Sequence, residues 1–421
     1  MIKKIIGFLI FLISLTSLAQ KNNISPYSFF GIGENASVKT VEELSMGQVG
    51  GAFSSPFQLT FTNPASYAAL RLTTFAVAGQ NQALKIDDGT NNETGSSASF
   101  SYLALGFPIG QKAGVAFGIQ PNTTVGYSLL EEINDAQNTL IETNLFTGEG
   151  GTNRVFVGFG HKVGQNFSVG IEAAYIFGSI ENSLLNRRSQ VPLSTIDKSD
   201  SDVSGSEIKM GVQYQTKVSE KLTVRTGINV GLSNELENEG SRYRFSLVNQ
   251  GGDVVNPRDT VLNESFRSTF KNPVKTTLSA GIGEENKWYA GLEYEFQSAL
   301  TIDDGLSVNN RTFNYGESNR VSLGGYYTPK FNSITSYWQR ATYRAGISYK
   351  ATGLLVNDTE INDFGISFGV ALPMKGLSNI NLGFELGTRG KVTNGLVKEN
   401  YFNFRLGLSL SDTWFRKNQI R

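Results

Sequence analysis

The chain has 421 residues, 37 basic residues balanced by 37 acidic ones, no cysteine and a single histidine. These counts exclude a disulfide framework and a cysteine-based metal site, and one histidine leaves little for a histidine-dependent metal or acid–base centre. The even charge balance also argues against nucleic acid as a partner, because such proteins need a basic excess to displace counterions. Glycine is unusually frequent: it makes up 46 of the 421 residues, or about 11%, where about 7% is usual.

Residues 1–19 are predicted to be a secretory signal peptide. Lys3 and Lys4 precede an apolar run over residues 5–15, and Ser17 and Ala19 supply small residues at the two positions that signal peptidase reads. The alternative is a retained anchor, but the run is shorter than the ~20 residues that a spanning helix needs. No later apolar run reaches about 18 residues, which excludes an α-helical membrane protein.

Residues 20–72 read as loops with one short helix, predicted at 38–46. From residue 73 onward, apolar and polar residues alternate with period two, as in strands that have two different faces. Phe402, Phe404 and Leu406, for example, alternate with Asn403 and Arg405. About fourteen such segments are predicted, at 73–85, 97–107, 113–129, 152–162, 166–181, 203–218, 221–236, 269–283, 286–298, 317–329, 340–352, 361–373, 379–392 and 400–411.

The connections between these segments alternate between long and short. Long polar connections are predicted at 87–96, 131–151, 182–202, 236–268 and 301–316, whereas the others are mostly tight turns, with 329–340 as the exception. Short periplasmic turns, long external loops and strands of ten or more residues are typical of a transmembrane β-barrel. A soluble sandwich is the alternative, but it would show neither the parity nor the strand length.

The predicted fold class is therefore all-β, a transmembrane antiparallel barrel of about 14 strands with an N-terminal plug. The barrel is predicted at 73–412, the plug or hatch at 20–72, and a periplasmic C-terminal tail at 413–421. A barrel between the filled eight-stranded and the open sixteen-stranded sizes has room for such a segment. Aromatics near strand ends are predicted to form interfacial girdles: Tyr102, Tyr127, Tyr175, Trp288, Tyr327, Tyr349, Tyr401 and Trp414.

Charged residues within the strands fall on the polar face, which is predicted to line the lumen. On the lipid side a basic residue would cost about 2–4 kcal/mol at the bilayer midplane. These residues either form structural ion pairs with each other and the plug, or line a solute path or gate. Eight are singled out as the lumen or substrate path: Glu172, Glu207, Lys209, Arg225, Glu293, Glu295, Arg344 and Arg405. Lys275, Lys350, Glu385 and Arg389 share their phase.

No catalytic, cofactor or metal site is expected, and the chain is predicted not to be an enzyme. His161 falls on the lipid-side face near the periplasmic rim, where it cannot serve a nucleophile in the lumen. Ile86-Asp87-Asp88-Gly89 recurs at residues 302–305, where calcium ligation competes with an ordinary Asp-Gly turn, which is favoured. Asp197, Asp200 and Asp202 raise the same question, but their spacing fails the EF-hand pattern.

Two motifs of the hatch resemble the FadL/TodX family of outer-membrane transport proteins. One is the small-residue stretch at 44–53 and the other is Asn63-Pro64-Ala65, followed here by Ser66 where the family often has glycine. The resemblance implies a plugged barrel in the outer membrane, in contact with its lipid, and diffusion of hydrophobic small molecules with lateral exit at a strand kink. The hatch residues that it singles out are Met46, Gly47, Gly50, Gly51, Asn63, Pro64 and Ala65.

The function predicted from sequence is passive transport of hydrophobic or amphipathic small molecules across the outer membrane. The alternative is a non-transporting barrel subunit of an outer-membrane secretion, assembly or motility complex, because the same scaffold serves such accessory subunits. In that case other outer-membrane or periplasmic proteins would be the partners.

Overall fold

The computed structural model describes residues 22–248, 257–302 and 313–413. Fourteen antiparallel strands form a closed barrel, which confirms the predicted fold class. The predicted signal peptide lies outside the described residues, as does the predicted tail beyond Thr413. The last strand pairs with the first along its whole length, from Asp412 opposite Thr73 to Lys398 opposite Asp87, so the barrel has no seam edge there.

The strands are numbered in chain order, and some are interrupted by a short break. Their bounds are β1 Thr73–Asp87, β2 Asn92–Ile109, β3 Ala113–Asn134, β4 Leu140–Val163, β5 Phe167–Arg188, β6 Leu193–Lys217, β7 Leu222–Gly231 with Asn234–Val248, β8 Pro257–Asn272 with Lys275–Glu284, β9 Trp288–Gln297 with Thr301–Ile302, β10 Phe313–Tyr315 with Ser318–Tyr327, β11 Thr342–Val356, β12 Thr359–Pro373, β13 Asn379–Gly390 and β14 Lys398–Asp412.

The strands run well beyond their predicted amphipathic segments on the long-connection side. The predicted loops at 131–151 and 182–202 are wrong, because β3 to β6 continue through them and leave only short turns, such as 135–139. β4 and β6 have 24 and 25 residues, against 12 in β13. Alternation disappears in these extensions because both faces of the sheet can be polar once they have left the lipid.

The faces of the strands follow the predicted phase. Phe402 and Leu406 are 40% and 50% exposed on the outer face, whereas Arg405 between them is buried in the lumen. The girdle prediction is wrong for three tyrosines, since Tyr102, Tyr127 and Tyr401 are buried inside the barrel. Position near a strand end does not decide the face, and the phase of these three points inward. Tyr175, Tyr327 and Tyr349 do lie on the exposed outer face, and Trp414 lies outside the described residues.

Most of residues 22–72 packs against the inner face of the strands, and this segment is called the hatch below. Its regular elements are 3-10 helices at Pro26–Phe29 and Pro64–Ala69, a two-residue strand at Glu34–Asn35 and an α-helix at Val41–Leu44. The predicted helix at 38–46 is thus too long, because turns replace it from Ser45 onward. Thr40 and Glu43 cap its start reciprocally. In the part of the chain that is described, no helix has the length and apolarity to cross a membrane.

One place in the wall lacks the regular pairing between neighbouring strands. β2 and β3 are paired only near their shared short turn, over residues 103–109 and 113–119. Above this point the hatch strand Glu34–Asn35 pairs with Thr124 and Thr123 of β3 instead. The gap between β2 and β3 therefore lies in the half of the wall away from the short turns.

Candidate functional site: the contact between hatch and barrel wall

Asn63 fixes the Asn-Pro-Ala motif to the hatch and to two wall strands. Its Oδ1 accepts the N–H of Ala65 at 3.0 Å, which caps the helix that begins at Pro64. Its Nδ2 donates to the carbonyl oxygens of Gly51, Val212 and Ile228 at 3.0, 3.2 and 3.3 Å. The motif is completely enclosed, so its asparagine connects the hatch to β6 and β7 rather than lining an open path.

Wall glycines provide the space that the motif needs. A Cβ at Gly211 would lie 1.9 Å from Asn63 Oδ1, and one at Gly170 would lie 2.3 Å from the carbonyl carbon of Pro64. Such distances are impossible for real side chains. The surplus of glycine in the sequence therefore has a local reason, because parts of the hatch backbone lie directly against the inner surface of the wall.

Met46 and Gly47 make a similar contact on another side of the barrel. Gly47 has φ +65°, in the left-handed region that glycine adopts without strain, and its N–H donates to Ser367 Oγ of β12 at 2.8 Å. Met46 is fully buried. A Cβ at Gly324 would lie 2.0 Å from the Met46 carbonyl oxygen, so β10 approaches this turn as closely as β5 approaches Pro64.

Glu293 of β9 holds the next part of the hatch. Its carboxylate accepts the backbone N–H groups of Gly50 and Gly51 at 3.0 and 2.8 Å. It also pairs with Lys39 of the hatch at 2.9 Å and with Arg320 of β10 at 3.0 Å. Glu293 is fully buried, and two cations and two N–H groups offset the cost of enclosing its charge.

Glu172 of β5 is the centre of a second buried group. It pairs with Arg154 of β4 at 3.0 Å and with Lys209 of β6 at 2.9 Å. Tyr67 of the hatch donates its hydroxyl to Glu172 at 2.8 Å, and Lys209 Nζ donates to the carbonyl oxygen of Phe61 at 2.7 Å. This group therefore joins three wall strands to the hatch.

Arg389 of β13 forms a third group with Glu34 of the hatch and Glu399 of β14. Ser25 Oγ donates to Glu399 at 2.6 Å. On the same side of the barrel, Asn381 Nδ2 donates to Glu42 at 2.8 Å. The hatch is thus bonded to wall strands on several sides of the barrel, and most of these contacts carry a charge.

The remaining predicted lumen residues also face inward, but their contacts are mainly with the wall or with ring faces. Glu207 pairs with Arg154 at 3.1 Å, and Glu295 pairs with Arg320 at 2.9 Å. The other three are arginines. The Arg225 guanidinium lies 5.9 Å from the ring centres of Phe53 and Tyr289. Arg344 donates to Asn381 at 3.4 Å, and Arg405 pairs with Glu385 at 2.5 Å.

Sequence reasoning missed several partners in these groups. Arg154, Arg320 and Glu399 alternate with outward residues, so the phase that identified Glu172 would also have identified them. Lys39 and Glu34 belong to the hatch, which has no strand periodicity, and no sequence signal marks them as ion-pair partners.

Aromatic side chains of the hatch pack against aromatic side chains of the wall. Phe29 packs edge-on against Tyr127 and Phe146 on one side, with ring centres 5.1 and 5.8 Å apart. Phe30 packs against Phe313 on the other side at 5.3 Å. Two apolar clusters extend from these rings to the wall, so apolar packing adds to the polar contacts between hatch and wall.

Asp87-Asp88-Gly89 forms a turn that is closed by its own hydrogen bonds, and Asp197 of β6 is bound by arginines of the neighbouring strand β7. Asp88 Oδ1 accepts the N–H groups of Thr90 and Asn91 at 2.7 and 2.5 Å, and these bonds, that from Asn91 first, lower the pKa of Asp88. Asp197 is bound by Arg242 and Arg244 at 2.8 and 2.5 Å. Among the described residues no group of three acidic or histidine side chains is placed to hold a metal ion. Asp303 and Asp304 lie outside those residues.

A family model described as BamG matches residues 1–421, the full length of the chain. The chain belongs to the BamG family. No curated protein sequence matches this BamG-family chain significantly.

Solved structures of a hydrocarbon channel, a FadL homologue and a toluene transporter are similar to this BamG-family chain in fold. The CymD monoaromatic hydrocarbon channel has TM-score 0.58 and 14% identity, covering 91% of this chain and 100% of its own. A FadL homologue from Pseudomonas aeruginosa has TM-score 0.59 and 12% identity, with coverages of 90% and 98%. The Pseudomonas putida toluene transporter TodX has TM-score 0.58 and 14% identity, with coverages of 90% and 99%. At these identities the likeness establishes the fold alone.

Proposed function

We propose that this protein is an outer-membrane barrel with a fixed hatch that acts as a structural or interaction subunit of an outer-membrane complex. The observation that carries the proposal is the anchoring of the hatch to strands on several sides of the wall. Two ion pairs, Lys39 with Glu293 and Glu34 with Arg389, join hatch and wall, and hydrogen bonds to buried charged groups add to them. Removing one partner of a buried pair costs about 3–5 kcal/mol. Moving the hatch would break both pairs together, which favours a closed barrel over one that opens for each solute.

A cavity of about 820 Å³ lies at β3 to β7, and its lining is mixed. Glycines and serines line it together with Val125, Tyr127, Ile180, Tyr243 and five acidic residues, Glu149, Glu181, Asp200, Asp202 and Glu239. Ligand sites for hydrophobic molecules are lined predominantly by apolar and aromatic groups. The lining of this cavity is not predominantly apolar, so the cavity does not favour a hydrophobic ligand.

Passive transport of hydrophobic or amphipathic small molecules is the second candidate. The likeness of fold to channels described as carrying monoaromatic hydrocarbons and toluene favours it, as does the gap between β2 and β3. In this case the hatch or the gap must open, and the outer-membrane lipid would receive the solute.

A disulfide between hatch and wall separates the two candidates. The chain has no native cysteine, and a Cβ at Gly407 of β14 would lie 3.4 Å from the Cβ of Val41 in the hatch helix, close to the 3.5–4.5 Å of disulfides. The double variant V41C/G407C should therefore oxidise and lock the hatch. The V41C single variant and the reduced double variant are the matched controls.

Gentle purification and toluene uptake into proteoliposomes are the two measurements. The proposal expects stoichiometric partner proteins that are retained equally by oxidised and reduced V41C/G407C, and no uptake that depends on hatch movement. Uptake by the reduced form that oxidation abolishes, together with an absence of partner proteins, would instead support transport.

A further inference from the structure

The gap between β2 and β3 leaves an incomplete strand edge in the half of the wall away from the short turns. Residues 92–102 of β2 pair with β1 on one side, but the pairing with β3 stops at Leu103 opposite Ile119. Unpaired backbone groups are costly next to hydrocarbon. Some part of the molecule must therefore shield this opening.

The first described residues of the hatch lie inside this opening. Asn23 Nδ2 donates to Thr124 Oγ1 of β3 at 3.1 Å, and a Cβ at Gly126 of the same strand would lie 2.0 Å from the Asn23 carbonyl oxygen. On the opposite side, a Cβ at Gly95 of β2 would lie 2.8 Å from Ile24 Cδ1. Residues 23 and 24 thus contact both strands that border the gap.

Asn22 lies where the chain reaches the outer face of the barrel. It lines a groove of about 430 Å³ together with Phe100, Phe404 and Leu406, of which Phe100 and Leu406 are 45% and 50% exposed on the lipid-facing surface. It also lines the cavity of about 820 Å³, together with Val125 and Gly126 of β3. Ser25, three residues later, is completely buried and bonded to Glu399 in the lumen.

The segment is held in place from inside. Asn23 Nδ2 also donates to Glu34 Oε2 at 3.2 Å, and Glu34 belongs to the two-residue strand that pairs with β3 beside the gap. Arg389 forms one ion pair with Glu34 and a second one with Glu399. The segment and the short strand therefore form one unit that replaces the missing pairing between β2 and β3.

We infer that residues 22–25 pass through the barrel wall between β2 and β3 and close a lateral opening from within the chain. The N-terminal end of the hatch then contacts lipid on the outer face instead of ending in the lumen. Gly95 and Gly126 are the wall positions that make room for it. This goes beyond the proposed function, because it assigns the closure of the wall and requires no partner protein.

Spin labelling tests this inference in the full-length protein. The chain lacks cysteine, so N22C carries a single nitroxide, and S28C, at a residue buried in the lumen, is the matched control. In reconstituted bilayers, lipid-dissolved oxygen should relax the N22C label severalfold more effectively than the S28C label. A label at position 22 that collides only with a water-soluble nickel complex would overturn the inference.

A second substitution tests the route through the wall. Gly126→Val places side-chain atoms where the Asn23 carbonyl lies, so it should expel the segment and sharpen the spectrum of the N22C label. Gly231→Val is the matched control, because Gly231 is on β7, which does not border the gap, and the nearest atom to a Cβ there, Lys275 Cβ, is 3.8 Å away. Heat-modifiable migration verifies that both barrels have folded. An unchanged N22C spectrum in folded Gly126→Val would contradict the route, whatever partners the protein binds.

Discussion

At the residue scale, buried carboxylates of the wall decide how the hatch is held. Glu293 and Glu172 were identified from strand phase alone, since neither can face lipid. Their partners were not, because Lys39 and Tyr67 come from a segment without periodicity. Glu293 and Glu172 both form ion pairs with other charged residues and contact the hatch, which is one of the two roles that the sequence suggests for the lumen charges. The other role, in a solute path, stays a prediction.

Glu293→Gln should lower the free energy of unfolding by about 3–5 kcal/mol, because the buried Lys39 ammonium loses its counter-charge. Glu237→Gln is the control. Its side chain is 56% exposed and pairs with the equally exposed Arg267, so about 1 kcal/mol or less is expected. Guanidinium unfolding in detergent, followed by tryptophan fluorescence, measures both. Equal effects of the two substitutions would refute the anchoring role of Glu293.

Gly170→Ala should destabilise the protein by about 1–3 kcal/mol, as overpacking does. The added methyl group meets the backbone of Pro64 and Ala65 at 2.3 and 2.4 Å, and backbone cannot rotate away as a side chain can. Gly79→Ala should stay within about 0.5 kcal/mol, because its methyl group meets only the Ser99 carbonyl oxygen, at an ordinary contact distance of 3.5 Å. The same unfolding measurement applies, and a neutral Gly170→Ala would mean that the hatch does not lie against β5.

At the element scale, the strands are taller than their amphipathic segments. The sequence marks the part that crosses lipid, because only there does one face have to be apolar. The extensions of β3 to β6 meet water and carry charges such as Glu142 and Arg188, which pair at 3.2 Å. The alternation in the sequence therefore predicts the right number of strands but underestimates their length.

An epitope inserted between Gln137 and Asn138, in the turn that follows β3, should bind antibody on intact cells. An epitope between Lys375 and Gly376, in the turn after β12, should bind only after the outer membrane has been permeabilised. The alternation of short periplasmic and tall external connections requires this difference. Surface labelling of the second insertion would reverse the orientation assigned to the barrel.

At the scale of the whole molecule, the sequence predicts a fourteen-stranded barrel, but it does not predict how the opening between β2 and β3 is closed. Fourteen strands follow from local alternation and from connection parity, both of which are written along the chain. The gap between β2 and β3, and the short strand Glu34–Asn35 beside it, depend on a contact between residues about 90 positions apart. Nothing in either segment indicates the other, and the same applies to the pair of Ser25 and Glu399.

The intact protein should show no steady ionic conductance in planar bilayers, because packed rings and ion pairs fill its lumen. Deleting residues 22–72 should open a water-filled pore, since a barrel of this size exceeds the eight-stranded barrels that their own side chains fill. A silent deletion variant that still shows heat-modifiable migration would mean that the wall collapses inward without the hatch.

The bond between Ser25 and Glu399 also constrains the order of assembly. These residues are 374 positions apart, and Glu399 lies on the strand that closes the barrel against β1. The N-terminal end of the hatch can form this bond only after the last strand is in place. Glu399 on that strand in turn lacks the Ser25 hydroxyl until the hatch is inside the barrel. Insertion into the membrane and filling of the lumen are consequently coupled steps, with a slow, long-range closure as their common end.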